Sequence, residues 1–454
     1  MQLPSRFIHS LRGLPGFDEA AFIDLHHSEA QVTSVRINPC KISEIPFTRG
    51  HTSVPWSRYG HYLSPRPSFT FDPLFHAGCY YVQEASSMFL EQALQQGADL
   101  SRPLKVLDLC AAPGGKTTHI QSLLPANSLL VSNEVIRSRT AVLKDNVIKW
   151  GAHNVAVTNN DPADFSVLPG FFDVIIVDAP CSGSGLFRRD PEAIGEWSEG
   201  SVELCSRRQQ RILADVLPAL KEGGTLVYST CSYSKEEDEY ILKWLAEAMD
   251  LEGIELATDP RWGIVPVKEG TAFGYRFWPH RLEGEGFFMG AFRKKAVTGK
   301  PERYRPVNKT LSGKETVALS RWILMEGLRF VAFGGRIYSW PEALYESFDL
   351  LAQKMKVLYS GVLTGELIRN KLIPDHALAL SGLLPGQVIR AGLSRETAIR
   401  YLQRKEIDPE GLQTGWQVAA FAGQPLGWMN VLPNRINNYY PKELRILKER
   451  APDE

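Results

Sequence analysis

Membrane-length apolar runs and paired cysteines are both missing from this chain of 454 residues. No stretch approaches the roughly 20 apolar residues that a membrane span needs, and residues 1–7 lack the uncharged apolar core of a signal peptide. We therefore expect a cytoplasmic protein with no membrane partner. The six cysteines form no Cys-x-x-Cys pair, which argues against a disulfide framework and against a zinc site. Free thiols and no bound metal are the expectation.

The chain also lacks a net charge, with 51 basic and 51 acidic residues. Hydrophobic residues make up 44% and charged residues 22% of it, which is typical of a globular protein and excludes a disordered one. After Lys295, however, Lys and Arg outnumber Asp and Glu by 22 to 16. A solvated surface explains this surplus as well as RNA binding does. The aromatic residues of that part of the chain favour RNA.

The middle of the chain, residues 101–295, alternates strand and helix signals. Short, continuous, β-branched runs predict buried parallel strands, and longer amphipathic segments between them predict helices. The alternation predicts right-handed βαβ units in a doubly wound, Rossmann-like α/β domain. Predicted strands cover 104–110, 128–134, 154–158, 172–178 and 224–230; predicted helices cover 116–124, 137–150 (apolar at Ala141, Val142, Val147 and Ile148), 207–220 and 236–249; segments 275–280 and 287–293 form a closing antiparallel hairpin.

The flanking regions carry weaker signals. Residues 1–100 form an N-terminal extension, which we expect to be α+β and to bind RNA, and the Pro-, Lys- and Arg-rich segment 296–308 predicts a linker. Two β-rich modules follow, over 309–378 and 379–454. Gly334-Gly335 predicts a tight hairpin turn in the first, and Gly423-Gln424-Pro425 marks another in the second. Small basic and aromatic modules suit RNA through stacking and phosphate contacts, although about half of these aromatic residues would form the modules' own cores.

The first chemical motif runs from Asp108 to Thr117. It ends in Gly115-Lys116-Thr117 as a P-loop does, but Cys110 stands where the opening glycine is required, and the segment does not fit GxGxxG either. A tight turn of small residues remains, with Glu134 at the end of the second strand, where an acid can hold ribose hydroxyls. An adenosyl cofactor without phosphates fits this arrangement. The alternative is a turn made compact only for strand-to-helix packing.

Two cysteines end neighbouring strand signals. Cys181 follows Asp178-Ala179-Pro180, and Cys231 follows Ser229-Thr230. If the two strands are adjacent, both thiols emerge at the sheet edge where ligands bind in open α/β folds. A thiolate added at C6 of cytosine creates an enamine whose C5 can accept a methyl group from a sulfonium donor, and a second thiol can assist release. Asp178 is placed to hold the cytosine amine and N3, but spacing alone does not rank the two thiols.

Three signatures, 107–117, 178–185 and 229–232, resemble motifs I, IV and VI of the Nol/Nop/Sun family of RNA cytosine-C5 methyltransferases in residues, order and spacing. Arg36-Ile37-Asn38 and the run 83–86 resemble the family's N-terminal elements, so the resemblance covers about 30–295. The tail, with Gly427-Trp428 and 434–441, is similar to the C-terminal extension of a bacterial group that methylates RNA of the small ribosomal subunit.

The resemblance implies S-adenosylmethionine as cofactor, a class I methyltransferase domain over 101–295 and a PUA-like RNA-binding domain over 379–454. It implies that Cys231 attacks C6 and that Cys181 aids product release. Asp178 would contact the cytosine, and Lys116 would lie beside the reacting centre. The cofactor-binding residues that it implies are Cys110, Ala111, Ala112, Pro113, Gly114, Gly115, Lys116, Glu134, Arg139, Asp161 and Asp178.

Small-subunit ribosomal RNA is the expected partner, and a monomer is the expected state. The Arg188-Arg189 pair is expected to steer the backbone of a flipped target base. Three other functions stay open: cytosine-C5 methylation of transfer RNA, P-loop-like nucleotide hydrolysis with Thr117 as the Mg²⁺ ligand, and catalytically silent RNA binding on a methyltransferase fold.

Overall fold

The computed structural model describes residues 3–28, 31–47, 50–295, 305, 307, 310–369 and 371–449. The linker predicted over 296–308 lies outside the described residues except at 305 and 307. The α-helices are α1 Ser5–Leu11, α2 Glu19–His27, α3 Pro73–His76, α4 Leu90–Gly97, α5 Gly115–Leu123, α6 Arg137–Trp150, α7 Ala193–Glu196, α8 Glu199–Val216, α9 Glu239–Ala248, α10 Gly313–Leu319, α11 Tyr345–Lys354, α12 His376–Leu380 and α13 Arg395–Leu402.

The strands are β1 Thr33–Ile37, β2 His51–Ser53, β3 Gly60–Leu63, β4 Tyr80–Val82, β5 Lys105–Asp108, β6 Leu129–Asn133, β7 Val155–Thr158, β8 Phe172–Asp178, β9 Leu220–Thr230, β10 Leu251–Gly253, β11 Val265–Glu269, β12 Ala272–Phe277, β13 Phe287–Lys294, β14 Leu328–Phe333, β15 Arg336–Pro341, β16 Val357–Ser360, β17 Val362–Ile368, β18 Lys371–Pro374, β19 Arg390–Gly392, β20 Gly415–Phe421, β21 Gln424–Leu432 and β22 Arg435–Asn438.

The central sheet has the order β11-β12-β13-β9-β8-β5-β6-β7-β16, with β10 paired to β13. Strands β5 to β9 are parallel, and β5 lies between β6 and β8, so the strand order reverses at its carboxyl end. Adjacent residues of β5, Val106 and Leu107, point to opposite faces of the sheet and enter two different core clusters, because both faces are covered. The predicted doubly wound α/β fold is confirmed, and the reversal marks the crevice where such sheets bind ligands.

Antiparallel strands close the sheet at both edges. The predicted hairpin is present as β12 and β13, with β13 also paired to β9. At the opposite edge, β16 pairs antiparallel with β7, so that Ser360 faces Ala156. This strand comes from the region predicted as the first C-terminal module. Residues 309–378 therefore supply a strand to the central sheet as well as a sheet of their own, which the sequence pattern did not indicate.

Two helices differ from their predicted pattern. Helix α8 begins at Glu199 and not at 207, because Ser198 and Ser201 form a reciprocal cap at its N-terminus. Helix α6 has the predicted bounds, but Val142 and Ala141 are exposed. Its buried face carries Thr140, Leu143, Val147 and Trp150, which follow helical spacing and include a polar residue.

For the N-terminal extension, the sequence predicts an α+β character but no particular fold. The structure shows a sheet of order β2-β3-β1-β4. Strand β1 is buried throughout. Within it, Arg36 donates hydrogen bonds to Gln83 Oε1 (2.9 Å), to Thr118 Oγ1 (2.6 Å) on α5 and to Ser122 Oγ (3.2 Å). The guanidinium group also lies over the ring of Trp150. These contacts attach the extension to the central domain next to the turn at residues 110–116.

The C-terminal region contains two four-stranded sheets, of order β14-β15-β17-β18 and β19-β20-β21-β22. Both predicted hairpins are present. The first turns at Gly334-Gly335, both with positive φ, as expected. The second turns at Ala422-Gly423, one step earlier than predicted, so Gln424 already belongs to β21. Among the described residues, no helix combines the length and the apolar character that crossing a membrane requires.

Candidate active site

A cavity of about 410 Å³ opens at the carboxyl ends of β5, β8 and β9, where the strand order reverses. Its walls come from the N-terminal extension, the turn after β5, the ends of β8 and β9, and the residues just before and at the start of β13. The lining residues are Tyr81, Val82, Gln83, Glu84, Ser87, Cys110, Ala111, Ala112, Pro113, Gly115, Lys116, Arg139, Asp178, Leu186, Arg189, Cys231, Glu285, Gly286 and Phe287.

The two thiols of interest meet at this edge. Strands β8 and β9 are parallel neighbours that pair Asp178 with Ser229, and both chains then leave the sheet. Cys181 Sγ lies 3.0 Å from Cys231 Sγ, and both side chains are partly buried. The pKa of the Cys181 thiol is well above its ordinary value because of the hydrogen bond with Cys231, then burial, then the charges on Cys231 and Glu237. The raised pKa favours the protonated thiol at Cys181, and either sulfur can be the donor in this contact.

An ion pair lies beside the thiols. Lys116 Nζ is 2.7 Å from Asp178 Oδ2, and Ser229 Oγ donates a 2.8 Å hydrogen bond to Asp178 Oδ1. Burial lowers the pKa of Lys116, but the charges on Asp178, Asp108 and Cys231 and the hydrogen bond to Asp178 outweigh it, so the net shift is upward. The ammonium group also lies 5.2 Å from the centre of the Phe287 ring. Lys116 is thus held as a cation close to Cys231.

The turn at residues 110–116 connects β5 to α5. Gly114, with φ of +113°, is the N-cap of α5, and a Cβ there would lie 3.3 Å from Leu143 Cδ1. Thr117 is buried and donates a 2.7 Å hydrogen bond to Asp108 Oδ2. Its hydroxyl group is therefore already engaged inside the domain and not presented to a phosphate-bound Mg²⁺. This contact counts against the P-loop interpretation of the motif.

The buried Asp108 has an unusual environment at the end of β5. Burial raises its pKa to about 7, against the opposing effect of the Thr117 hydrogen bond. Its Oδ1 is buried and has no hydrogen-bond partner among the described residues. Buried polar atoms are nearly always satisfied. This oxygen is an acceptor at the end of β5, directly before the turn of small residues. Burial likewise raises the pKa of Cys110 well above its ordinary range.

Glu134 and Arg139 lie on the next turn, between β6 and α6. Glu134 is buried; its Oε1 accepts a 2.9 Å hydrogen bond from the Ile136 amide, and its Oε2 lies 3.6 Å from Arg139 Nη1. Arg139 Nη2 donates a 2.7 Å hydrogen bond to the carbonyl oxygen of Ala112. Arg139 therefore fixes the two turns relative to each other.

Asp161 follows β7 and caps the short 3₁₀ helix Pro162–Val167. Its Oδ1 accepts from the Ala163 amide and lies 3.5 Å from Arg211 Nη1. Of the catalytic and cofactor-binding residues that the resemblance implies, four are not part of the cavity lining: Gly114, Glu134, Asp161 and Cys181. The other residues of that set are brought together there.

Part of the cavity wall was not expected from the sequence. Glu84, from the N-terminal extension, accepts hydrogen bonds on Oε1 from the amides of Glu285 (2.9 Å) and Ser86 (2.8 Å). The run 83–86 was noticed only as part of a resemblance, and its contact with the segment before β13 joins positions about 200 residues apart. The Arg pair is also divided: Arg188 is buried 3.4 Å from Glu285, whereas Arg189 is exposed and lines the cavity. Arg188 is therefore not placed to steer RNA.

The described residues contain no group of three or more His, Cys, Asp or Glu side chains that could hold a metal ion. All six cysteines are free thiols.

Comparisons with known proteins agree along the length of the chain. Residues 99–293 match the family model described as 16S rRNA methyltransferase RsmB/F. Residues 3–85 match the N-terminal domain of 16S rRNA methyltransferase RsmF, and residues 390–446 match the methyltransferase RsmF PUA domain.

Individual relatives are similar over nearly the whole chain. Ribosomal RNA small subunit methyltransferase F of Cronobacter sakazakii is 31% identical over 90% of this chain and 89% of its own length. The protein of the same name from Escherichia coli O9:H4 is 30% identical over 90% of each chain. Among solved structures, a methyltransferase homolog protein from Pyrococcus horikoshii is 28% identical, with a TM-score of 0.53, over 64% of this chain and 93% of its own.

Proposed function

Because the chain belongs to the 16S rRNA methyltransferase RsmB/F family, we propose that it methylates C5 of a cytosine in small-subunit ribosomal RNA through a covalent bond between Cys231 and C6. The observation that carries this proposal is the 3.0 Å separation of Cys181 and Cys231 beside the Lys116–Asp178 ion pair. A nucleophile, a carboxylate and a cation then line one cavity, and a second thiol contacts the nucleophile.

The first step uses Cys231 as the nucleophile. Its sulfur forms a bond to C6, and the electron pair of the C5–C6 double bond moves to C5, which becomes the nucleophile for the methyl group. S-adenosylmethionine, when bound, supplies that methyl group. Asp178 accepts a hydrogen bond from the exocyclic amine of the cytosine, and it contacts N3 when either partner is protonated. Lys116 keeps positive charge next to the site where electron density develops.

Release uses Cys181. The C5 proton must be removed so that the C5–C6 double bond re-forms and the Cys231–C6 bond breaks. The main cause of the raised Cys181 pKa is its interaction with Cys231. Once Cys231 sulfur is bonded to carbon it carries no negative charge, so the Cys181 thiol becomes easier to ionise and can act as the base. The order itself, with Cys231 attacking and Cys181 releasing, is taken from the resemblance of the two motifs to those of the family.

The residues around the turn fit an adenosyl cofactor. Oδ1 of Asp108, which has no partner in the described part of the chain, lies at the end of β5 just before a turn of small residues, and Glu134 directly follows the adjacent strand. We propose that Cys110 to Lys116 hold the amino-acid end of S-adenosylmethionine, that Glu134 holds the ribose and that Asp161 contacts the adenine. Arg139 supports these turns through Ala112 and Glu134. Asp178 would contact both the cofactor and the cytosine.

RNA is the partner of this RNA methyltransferase, which carries a PUA domain. We propose that Arg189 contacts the phosphate backbone near the flipped base and that the basic C-terminal region adds further phosphate contacts. We place the reaction in the cytoplasm, with the protein as a monomer. Transfer RNA is the competing substrate, and only a direct comparison of RNAs separates the two.

The proposal is tested by transfer of a tritiated methyl group to 16S transcripts, 30S subunits and transfer RNA. We expect incorporation at cytosine C5 of the small-subunit substrates, loss of activity in Cys231→Ala, and a covalent RNA adduct that accumulates in Cys181→Ala. Cys40→Ala, which changes an exposed cysteine, is the matched control. Activity retained in Cys231→Ala would contradict the mechanism. RNA binding without methylation would instead support the catalytically silent alternative.

A further inference from the structure

A single buried carboxylate joins the two loops that carry the thiols. Ser182 follows Cys181 directly, and Ser232 follows Cys231 directly. Both serine hydroxyl groups donate hydrogen bonds to the same oxygen of Glu237, over 2.5 Å from Ser182 and 2.7 Å from Ser232. Each thiol is therefore one residue away from a side chain held by Glu237.

The remaining acceptor positions of this carboxylate are also used. Glu237 Oε1 accepts from the Ser182 amide at 2.8 Å and from Gln209 Nε2 at 3.1 Å. A carboxylate offers about four lone-pair sites, so four donors saturate it. Its side chain is fully buried, and burial raises its pKa above the ordinary value. A buried carboxylate is costly unless its hydrogen bonds are complete, and here they all come from the cysteine loops or from helix α8.

The position of Glu237 itself is fixed from two sides. The hydroxyl group of Tyr228, on β9, donates its proton to the Glu237 carbonyl oxygen at 2.6 Å, and its oxygen lies 3.0 Å from Gln209 Oε1. The next residue, Asp238, accepts a 2.7 Å hydrogen bond from Thr230 at the end of the same strand. The carboxylate is thus tied to β9 through its backbone and to the loop after β8 through its side chain.

We propose that Glu237 is a positioning residue that sets the separation of the two thiols and is needed chiefly for release of the methylated RNA. The inference rests on the proposed function. Cys231 must reach C6 in any case, because the substrate can adjust to it. Cys181 must in addition reach the C5 proton while Cys231 is bonded to the base, so release is more sensitive to the distance between the loops.

The experiment compares Glu237→Gln with Glu236→Gln, a neighbouring glutamate outside this network, in the full-length protein. We measure, in single turnovers on the RNA substrate, the rates at which the covalent adduct forms and breaks down. Glu237→Gln retains size but offers one acceptor oxygen in place of two. We expect adduct breakdown to slow about tenfold or more, with adduct formation changed less, so that the adduct accumulates as in Cys181→Ala. Glu236→Gln is expected to behave as the wild type.

Ser182→Ala provides a second variant, because it removes one hydroxyl contact without placing an uncharged amide in a buried site. It should also slow adduct breakdown, by less than Glu237→Gln does. Protection against thermal unfolding by S-adenosylhomocysteine shows whether each variant is folded. A folded Glu237→Gln whose adduct formation and breakdown fall equally, or not at all, would overturn the inference.

The two proposals fail in different ways. If Cys181→Ala accumulates an adduct but folded Glu237→Gln and Ser182→Ala do not, only the role of Glu237 is wrong. If Cys231→Ala still methylates RNA, the proposed function fails, whatever the glutamate variants do.

Discussion

The Gly185 amide donates a 2.8 Å hydrogen bond to the Cys231 carbonyl oxygen, which brings the loop after β8 against the loop after β9. A Cβ on Gly185 would lie 2.4 Å from the Gly286 carbonyl oxygen and 2.7 Å from that of Cys231. These are backbone atoms that cannot rotate away. Gly185→Ala should therefore displace Cys231 and lower the rate of methyl transfer, and we expect a stability loss of about 1–3 kcal/mol from the overpacking.

The matched control is Gly195→Ala in helix α7, where a Cβ would meet no atom within 4 Å. We expect this variant to retain wild-type activity and to lose no stability. The test measures the methyl-transfer rate and the thermal unfolding of both variants in parallel. Equal activities would show that the loops tolerate the added methyl group and that their contact does not position Cys231.

Asp178→Asn removes the negative charge from the Lys116–Asp178 pair but keeps a side chain of nearly the same shape. Lys116 Nζ lies 2.7 Å from Asp178 Oδ2 and is mostly buried. Burial lowers the pKa of Lys116 and the Asp178 carboxylate raises it, so loss of the carboxylate leaves the effect of burial less opposed. We expect the pKa of Lys116 to fall and methyl transfer to slow by about 100-fold or more. The measurement is the pH dependence of single-turnover methyl transfer.

The same strand offers a control at its other end. Asp173 Oδ1 lies 2.8 Å from Lys221 Nζ, near the start of β8 and outside the cavity lining. Asp173→Asn breaks an Asp–Lys pair of similar length, and it should leave the shape of the pH profile unchanged even where it lowers stability. If Asp173→Asn changes the pH profile in the same way as Asp178→Asn does, the effect is not specific to the candidate active site.

Local sequence patterns predicted much of this site. The β-branched runs that became β8 and β9 end next to the two cysteines, and parallel pairing then brings both thiols to one edge. Glycine turns were equally informative, because Gly334-Gly335 requires positive φ at both positions of a two-residue hairpin. In each case the signal lies within a few residues of the structure that it specifies.

Contacts between distant segments were not predictable in this way. The pairing of β16 with β7 depends on a strand edge that only the folded central sheet provides. The contact of Glu84 with Glu285 depends on how the N-terminal extension packs. Glu237 lies in the acidic run 236–239, shortly after Cys231, and a run of charges ordinarily indicates a solvated surface. Its burial follows from the serine hydroxyl groups that meet there.

Arg36→Met tests the attachment of the N-terminal extension. Arg36 is buried and donates to Gln83, Thr118 and Ser122, and burial lowers its pKa to about 9. Removing the guanidinium group leaves buried acceptors without donors, so we expect a loss of about 3 kcal/mol or more in this region. The measurement is amide hydrogen exchange at β1 and β4 as denaturant is added. This local readout is needed because a chain of several domains does not unfold in one two-state transition.

The exposed Arg58 provides the comparison for Arg36, through Arg58→Met. This variant should change amide hydrogen exchange at β1 and β4 only slightly, because an exposed guanidinium group is in contact with water both before and after unfolding. Arg36→Lys should not restore stability, since an ammonium group cannot reach the three acceptors in the planar geometry of guanidinium. Full stability of Arg36→Lys would show that only a positive charge is required.

A disulfide-forming oxidant should inactivate the protein reversibly. Cys181 Sγ and Cys231 Sγ are 3.0 Å apart, whereas a disulfide bond is about 2.05 Å long, so the loops need to move by only about 1 Å. The azo oxidant diamide takes one hydrogen from each thiol and becomes the hydrazine, while the two sulfurs bond. We expect activity to fall, a linked peptide to appear in mass spectrometry and dithiothreitol to restore both. Cys181→Ser should form no such peptide, whereas a Cys40→Ser variant should form it.

Buried and half-buried histidines should make the protein less stable in mild acid. Burial lowers the pKa of His26, His76 and His119 to about 4, and that of His376 to about 3. In the unfolded chain, histidine has a pKa near 6.5, so between about pH 6.5 and pH 4 the unfolded state binds more protons than the folded state. The stability that these neutral side chains contribute is complete above about pH 6.5 and is lost as the pH falls toward their folded values.

His376→Phe tests this dependence at one residue. The His376 ring packs against Tyr440 with centroids 5.3 Å apart, and its Nδ1 has no hydrogen-bond partner within the part of the chain that the structure describes. Phe retains an aromatic ring but cannot bind a proton in the unfolded state. We expect the loss of unfolding free energy between pH 6.5 and pH 4 to shrink by on the order of 3 kcal/mol, whatever constant cost the larger ring adds. His27→Phe, at an exposed position, is the control, and equal pH slopes in both variants and the wild type would contradict the assignment to His376.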